Sequence, residues 1–259
     1  MSPAKRAGRQ AAGGALGALL IFAGLAAFYA LLTDGLSLLN RVTFPGWGKI
    51  IPEAVNSAPL LFKGLLSSLG LLFPSVTAAG LTGIGLGLVV GLRPRAKRVL
   101  MPLFRTMNSL PSTMLIPYAI AVLPTFWLSS AAIIYLGVLW PVLMNTLDGI
   151  EMLEPRWLDN AKCLNLRGRR LIAKVVLPGA LPQIFAGLNV GLIRSFLLLT
   201  IAEMFGAKSG LGFFIQYYAD FAEYGRVIAG MMFLSAVVVM LMAFFDLVKR
   251  RMLYWTEKR

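Results

Sequence analysis

The side chains with most chemical potential in this chain are few, and they stand inside apolar runs. Asn189, Arg194, Thr200 and Glu203 lie in one such run. Asn108, Ser109, Ser112 and Thr113 surround Pro111 in another. There is no histidine and one cysteine, Cys163, so His-based zinc sites, His-centred acid–base catalysis and an intrachain disulfide are all excluded. No carboxylate-rich metal pattern is present and no metal site is expected. What these residues offer is hydrogen bonding at membrane depth, and from Arg194 an attraction for anions. An arginine near mid-membrane is costly, so it faces a cavity or a paired acid. Contact with an anionic solute and an interhelical ion pair or hydrogen bond both remain open for it.

Helical spacing sorts the second run. At roughly 100° per residue, Asn189, Phe196, Thr200 and Glu203 fall within about 60° on one face, and Gly187, Gly191, Arg194 and Leu198 on the other. The polar stripe suggests a translocation path or a seam between two copies. The glycine face suggests tight helix packing. Glu203 either braces the loop that follows or contacts solute. Arg105 stands nearer one end of its run and can snorkel to the interface.

Nucleotide chemistry is absent. A phosphate-cradling loop needs G-x-x-x-x-G-K-[ST]. The nearest string, Gly206-Ala207-Lys208-Ser209, lacks the glycine before the lysine. No ATP or Mg²⁺ site is expected in this chain, and any ATP must be bound by a partner.

The elements that position these groups are membrane spans. The chain has 259 residues, 58% hydrophobic, with mean hydropathy +0.76. Several runs approach the ~20 apolar residues that a spanning helix needs. An all-α polytopic membrane protein of about six spans is predicted, with one transmembrane domain over 1–259. The expected spans are 15–32, 71–92, 99–123, 129–147, 183–203 and 224–247. The first is read as retained, with MSPAKRAGRQ as its flank and not as a signal peptide. The segment 33–57 reads as an extracytoplasmic loop, and 59–69 as a short interfacial helix. Gly83, Gly87 and Gly91 recur at i+4 and mark a close helix contact. RPRAKR, 93–98, reads as a short loop. Pro102, Pro111 and Pro117 interrupt the third span. A second outside loop, 204–223, carries Phe213, Phe214, Tyr217 and Tyr218, either an interfacial aromatic belt or a docking surface.

The net charge of +14 is compatible with nucleic-acid binding in general. Here the charges sit at the ends of apolar runs, so membrane lipid and not nucleic acid is the expected partner. Eighteen of the Lys and Arg residues fall on the side that holds the N-terminus, 93–98, 148–182 and the tail, against five in the opposite loops. That asymmetry predicts both termini in the cytoplasm.

The longest polar stretch between spans is DNAKCLNLRGRRLIAKVVLPGALP, Asp159 to Pro182. It resembles the "EAA" cytoplasmic loop of ABC importer permeases. That motif opens on Glu-Ala-Ala, reaches a Gly after a short gap and closes on Leu-Pro. Asp159, Asn160 and Ala161 stand at its opening, Asn165 at the Gly, and Leu177-Pro178 at its close. Asn tolerates positive φ, so the turn normally made by Gly is still possible. NSLPSTMLIPYAI, IAEMFGAKSGLGFFI and FDLVKRRMLYW extend the resemblance to the nitrate/sulfonate/taurine/bicarbonate group. Relatives in the group carry bicarbonate, thiamine precursors or flavin-type compounds.

The resemblance implies a type I importer permease in the bacterial inner membrane that moves a small anionic or heterocyclic solute inward. It implies a second permease copy (a homodimer), two cytoplasmic ABC ATPases and an extracytoplasmic solute-binding protein. The cytoplasmic segment 148–182 becomes the coupling loop, with two short helices joined at Asn165. Arg167, Arg169 and Arg170 would meet acidic rims of the ATPase, and Leu164, Leu166 and Leu171 would anchor it. The bland alternative is a solvated positive loop. The resemblance also places Glu203 at the family's acidic position before the outside loop. Asn108, Ser109, Ser112, Asn189, Arg194, Phe196, Thr200 and Glu203 are the candidate path residues. The chain is expected to be a transport subunit and not an enzyme. The alternative is a secondary transporter or channel working alone.

Overall fold

The computed structural model describes residues 24, 27–35, 40 and 42–255. The predicted first span lies mostly outside them, as do the basic N-terminal flank, Arg41, Lys258 and Arg259. Among the described residues the chain is helical. After a π-helical turn at Leu31–Gly35 come α1 (Trp47–Gly91), α2 (Pro94–Ser109), a 3₁₀ turn (Ser112–Leu115) and α3 (Ile116–Val122). Then follow α4 (Phe126–Glu151), α5 (Pro155–Cys163), α6 (Gly168–Gly206), α7 (Leu211–Asp220) and α8 (Tyr224–Met252). Four of these, α1, α4, α6 and α8, are long and apolar enough to cross a membrane.

Several predicted boundaries change. The outside loop at 33–57 and the interfacial helix at 59–69 are replaced from Trp47 onward by α1, one helix of 45 residues. Pro52, Pro59 and Pro74 sit inside it without ending it. Each removes one backbone donor, but the turns on either side keep theirs, so the helix bends at most. At 1.5 Å per residue α1 is about 68 Å long, roughly twice the hydrocarbon core. Part of it therefore extends past the membrane. The segment 93–98 is not a loop either. Arg93 is the N-cap and Pro94 opens α2, where a missing N–H costs nothing.

The predicted third span is divided. Pro102 is absorbed within α2, whereas at Leu110 and Pro111 the backbone turns extended. Pro111 has no N–H to give, and the Leu110 N–H turns back to the Met107 carbonyl at 3.3 Å. Pro117 falls in the first turn of α3 and starts that helix. The second outside loop contains the ten-residue α7.

The core is a stack of α1, α4 and α6, with α4 in the middle. Glycines on both outer helices let them approach. A Cβ at Gly83 would lie 3.1 Å from the Leu139 carbonyl oxygen, and one at Gly87 2.6 Å from the Thr146 Cβ. From the other side, a Cβ at Gly187 would meet the Asn145 Cβ at 2.7 Å, and one at Gly191 would meet Val138 at 3.0 Å. In lipid there is little hydrophobic gain from bringing helices together, so such contact-dense packing is the main source of cohesion. At the hairpin end of the stack Lys97 and Glu151 form an ion pair between α2 and α4. At the opposite end Arg226 binds Glu53 at 2.9 Å and lies over the Tyr218 ring, joining α8, α1 and α7.

This packing makes a signed prediction. Gly85 faces open space, whereas Gly87 faces Thr146. Gly87→Ala should lower the thermal midpoint of the detergent-solubilised protein by an overpacking cost of about 1–3 kcal/mol. Gly85→Ala should leave it unchanged or raised, because alanine is the better helix former. Equal shifts for the two variants would contradict the close contact.

Candidate functional site

Three places gather the predicted residues: the hairpin of α5 and the start of α6, a cleft beside Pro111 and a brace at the Glu203 end of α6. The hairpin begins with α5, which carries Asp159, Asn160 and Ala161. Asn165 has φ +53°. Its N–H bonds the Lys162 carbonyl at 2.9 Å, and the Leu166 N–H bonds the Ala161 carbonyl at 2.9 Å. This nested pair is the Schellman arrangement, which satisfies carbonyls left over at a helix end and needs a left-handed residue at the position Asn165 fills. Gly168, also at positive φ (+54°), lets the chain turn again into α6.

The expected second short helix does not stand apart. From Gly168 the chain runs as one helix into the span, so 168–182 belongs to α6 and 148–151 to α4. A π turn at Ile172–Val176 comes immediately before Leu177-Pro178. A widened turn there relieves the clash of the Pro178 ring with the carbonyl four residues back, at Lys174. Arg167, Arg169 and Arg170 are exposed, and Leu164 is 73% exposed at the tip. Ala161 is buried at the base. A groove of about 600 Å³ runs between α5 and the start of α6, lined by Asn160, Ala161, Leu164, Leu166 and Pro178 and by Trp255 near the end of the chain. The sequence reading missed Gly168 and Trp255. The Arg-Gly-Arg context was a usable signal for the first and nothing local for the second.

The second place is a cleft of about 250 Å³ where α2 breaks. It brings together Asn108, Ser109, Ser112, Thr113 and Arg194, four of the eight path candidates among them. Arg194 donates to the Asn108 side-chain oxygen at 3.3 Å, across helices. Ser109 gives its hydroxyl to the Arg105 carbonyl. The other four candidates are elsewhere. Phe196 is buried in the apolar core with Leu71 and Leu72. Thr200 returns its hydroxyl to the Phe196 carbonyl, and Asn189 is half-buried.

Glu203 is only 3% exposed, and both its oxygens are committed. One accepts from the Ser68 hydroxyl at 2.6 Å, the other from the Gly212 N–H at 2.7 Å. The Ser68 oxygen in turn accepts the Leu211 N–H at 3.0 Å. The carboxylate thus sits at the N-terminus of α7, where unpaired amides and the helix dipole favour negative charge. Phe196 is thus packed in the core, and Glu203 braces α1, α6 and α7. Gly210 and Gly212 make room for it. A Cβ at Gly210 would stand 2.3 Å from the Glu203 carboxyl carbon, and φ there is +127°. On the aromatic α7, Phe214 is buried with Leu61 and Val227, while Tyr217 remains exposed.

Comparison with known proteins agrees on one family. The model for the binding-protein-dependent transport system inner membrane component matches residues 83–254. The putative aliphatic sulfonates transport permease protein SsuC of Bacillus subtilis is 31% identical over 216 residues, covering 80% of this chain and 78% of that protein. The taurine transport system permease protein TauC of Escherichia coli is 29% identical, over 75% of this chain and 71% of its own. The nitrate import permease protein NrtB of Leptolyngbya laminosa is 26% identical, over 74% and 68%. Among solved structures, an inward-facing form of the MetNI methionine ABC transporter superposes with TM-score 0.63 at 18% identity, over 76% of this chain and 98% of that one. At that identity the likeness speaks for the fold.

The outer brace yields the second prediction. Gly210→Ala combines a collision with Glu203 and a disfavoured φ, and should destabilise the protein strongly. Ser68→Ala removes one hydrogen bond to a buried carboxylate and should cost about 1–3 kcal/mol. Thermal unfolding in detergent checks both. An undiminished midpoint for Gly210→Ala would show that α7 does not pack on Glu203 as described.

Proposed function

This chain belongs to the family of binding-protein-dependent transport system inner membrane components, the permease subunits of ABC importers, and from that premise we propose how it works and what it carries. It is an integral inner-membrane protein. In our reading both termini and the α5–α6 hairpin face the cytoplasm, and a second copy of the same chain completes the pathway. Two ATPase subunits bind the ATP and Mg²⁺ and do the hydrolysis, and a soluble binding protein delivers solute from outside. The chain itself catalyses no reaction. The solute is a small anion. The relatives' names specify sulfonates, taurine and nitrate, all bearing an anionic group at neutral pH.

The observation that carries this reading is the continuity of α6. Its 39 residues run from the exposed basic turn to the outer brace, past the Pro111 cleft. An ATPase that docks on Leu164 and the arginines 167, 169 and 170 therefore pulls on one end of a rod whose other half borders the polar cleft. Asp159 and Asn160 share the docking face, and Leu177-Pro178 begins the membrane half of the rod. Movement of the hairpin then alternately opens the cleft to each side, which is alternating access driven by a partner's ATP cycle.

Two tests follow. Reversing charge with Arg169→Glu and Arg170→Glu should reduce ATPase co-purification severalfold while membrane insertion is retained. Full recovery of the ATPase with the double variant would exclude the hairpin as its dock. Asn165→Gly should preserve ATP-dependent uptake, because glycine takes positive φ freely. Asn165→Val should abolish most of it, since a β-branched residue pays roughly 1–2 kcal/mol or more there. Equal uptake by the two variants would exclude a role for the turn. Uptake by the chain without any ATPase would favour a carrier working alone.

A further inference from the structure

Arg194 is a full positive charge on a spanning helix, twelve residues before α6 ends at Gly206. Such a charge is ordinarily neutralised by an acid on a neighbouring helix. Here its hydrogen bond goes to the uncharged amide of Asn108, and at 3.3 Å it is long for a charge-assisted bond. The ion pairs of the described residues join Lys97, Arg156, Lys162 and Arg226 to acids, and none involves Arg194. Glu203, the acid on the same helix, is committed to Ser68 and Gly212. The guanidinium instead opens into the cleft at the Leu110–Pro111 break, beside the hydroxyls of Ser109, Ser112 and Thr113. Leu197 and Leu198 form the apolar wall. Broken helix within a membrane is tolerated where it lines a water-filled cavity.

We infer that Arg194 with Asn108 and Ser112 forms a weak oxyanion-binding station that makes this permease select for anions, resting on the reading of the chain as an importer permease for a small anion. The guanidinium fork supplies the charge and two parallel donors suited to a sulfonate, nitrate or carboxylate group. The Ser112 hydroxyl and the Asn108 amide N–H complete its hydrogen bonds, while Ser109, whose hydroxyl is given to the Arg105 carbonyl, only borders the station. The Asn108 side chain holds the fork in the cleft without neutralising it, which a carboxylate there would do. With one charge and partial solvation the station attracts an anion and releases it, as conduction requires.

The test reads the cleft directly. In the full complex with Cys163→Ser, the Ser109→Cys thiol is reacted with 2-sulfonatoethyl methanethiosulfonate and with its trimethylammonium counterpart. Each rate is divided by that reagent's rate with a free thiol in solution. The station predicts that the anionic reagent wins by about tenfold or more, the scale on which local charge enriches counter-ions. Arg194→Lys should keep that preference and Arg194→Gln should erase it. Should the Gln variant not assemble, millimolar ethanesulfonate must slow labelling of the Arg194 protein by the uncharged methyl methanethiosulfonate. A preference that survives Arg194→Gln, no preference at the start, no protection by ethanesulfonate, or a thiol inaccessible to both charged reagents would each overturn the inference. ATP hydrolysis and uptake by the same complex are measured separately. A complex lacking both would count against the importer reading, whatever the labelling ratio.

Discussion

Everything else in this molecule depends on how closely α1 and α6 approach α4. Lipid tails are as apolar as leucine, so burying a leucine between helices gains little over leaving it in the bilayer. Cohesion has to come from dispersion contacts and satisfied polar groups, and dispersion falls off within a fraction of an ångström. Glycine at 83, 87 and 91 on one side, and at 187 and 191 on the other, removes the atoms that would hold the backbones apart. The residues of α4 that fill the space, Val138, Val142, Leu143 and Leu147, are completely buried. Thr146 and Asn145 sit in the same contacts, and both give their polar hydrogens to carbonyls of their own helix, at Val142 and Pro141. The polar atoms are thereby satisfied without a gap opening between helices.

That constraint was readable in the sequence because it is local. An i+4 glycine repeat marks one helix face whatever surrounds it, and the face of Gly187 and Gly191 follows from the same 3.6-residue period. Positive φ at Asn165 was readable because few residue types tolerate it, and the residue stands where a motif needs a turn. Element boundaries were harder. Pro52, Pro59 and Pro74 look like stops, yet α1 runs through them, because a proline removes one bond while the turns around it are held by tertiary contacts. Pro111 does stop its helix, in a segment whose surroundings are polar and half-open. The two outcomes differ in context and not in residue type, so the sequence alone does not separate them. The brace at Glu203 lies between these cases. Its acid and the Gly-Leu-Gly at 210–212 are visible in sequence, but Ser68 is 135 residues away and only the fold brings it in.

The brace also explains how α7 can be short and still ordered. Helices of about ten residues are marginal alone. This one has its first amides bound by a buried carboxylate and a buried hydroxyl, its Phe214 and Ile215 packed against Leu61 and Val227, and its Tyr218 under Arg226. Those partners come from α1, α6 and α8. The ends of three long helices away from the hairpin are thus tied through one small element. A displacement of α1 or α6 at this end has to break hydrogen bonds to the buried Glu203 carboxyl, and one of α8 has to part Arg226 from Glu53.

The hairpin ends are built the opposite way. There α6 begins at an exposed turn with Gly168 at positive φ, and a π turn before Pro178 leaves one irregular stretch between the hairpin and the membrane half of the helix. Few buried contacts hold α5 and the first turns of α6, and the groove between them is open. Regions of this kind open at low free energy, while well-packed ones move as units. A rod tied firmly at the Glu203 end and loosely at the hairpin end responds to a force on the loose end by tilting about the tied one. The point of α6 that carries Arg194 lies between them, against a helix pair already broken at Pro111. In the coupling we propose, the unequal tethering of its two ends would direct movement of the hairpin to the cleft, because the cleft is the place along α6 where the opposing wall is not a continuous helix.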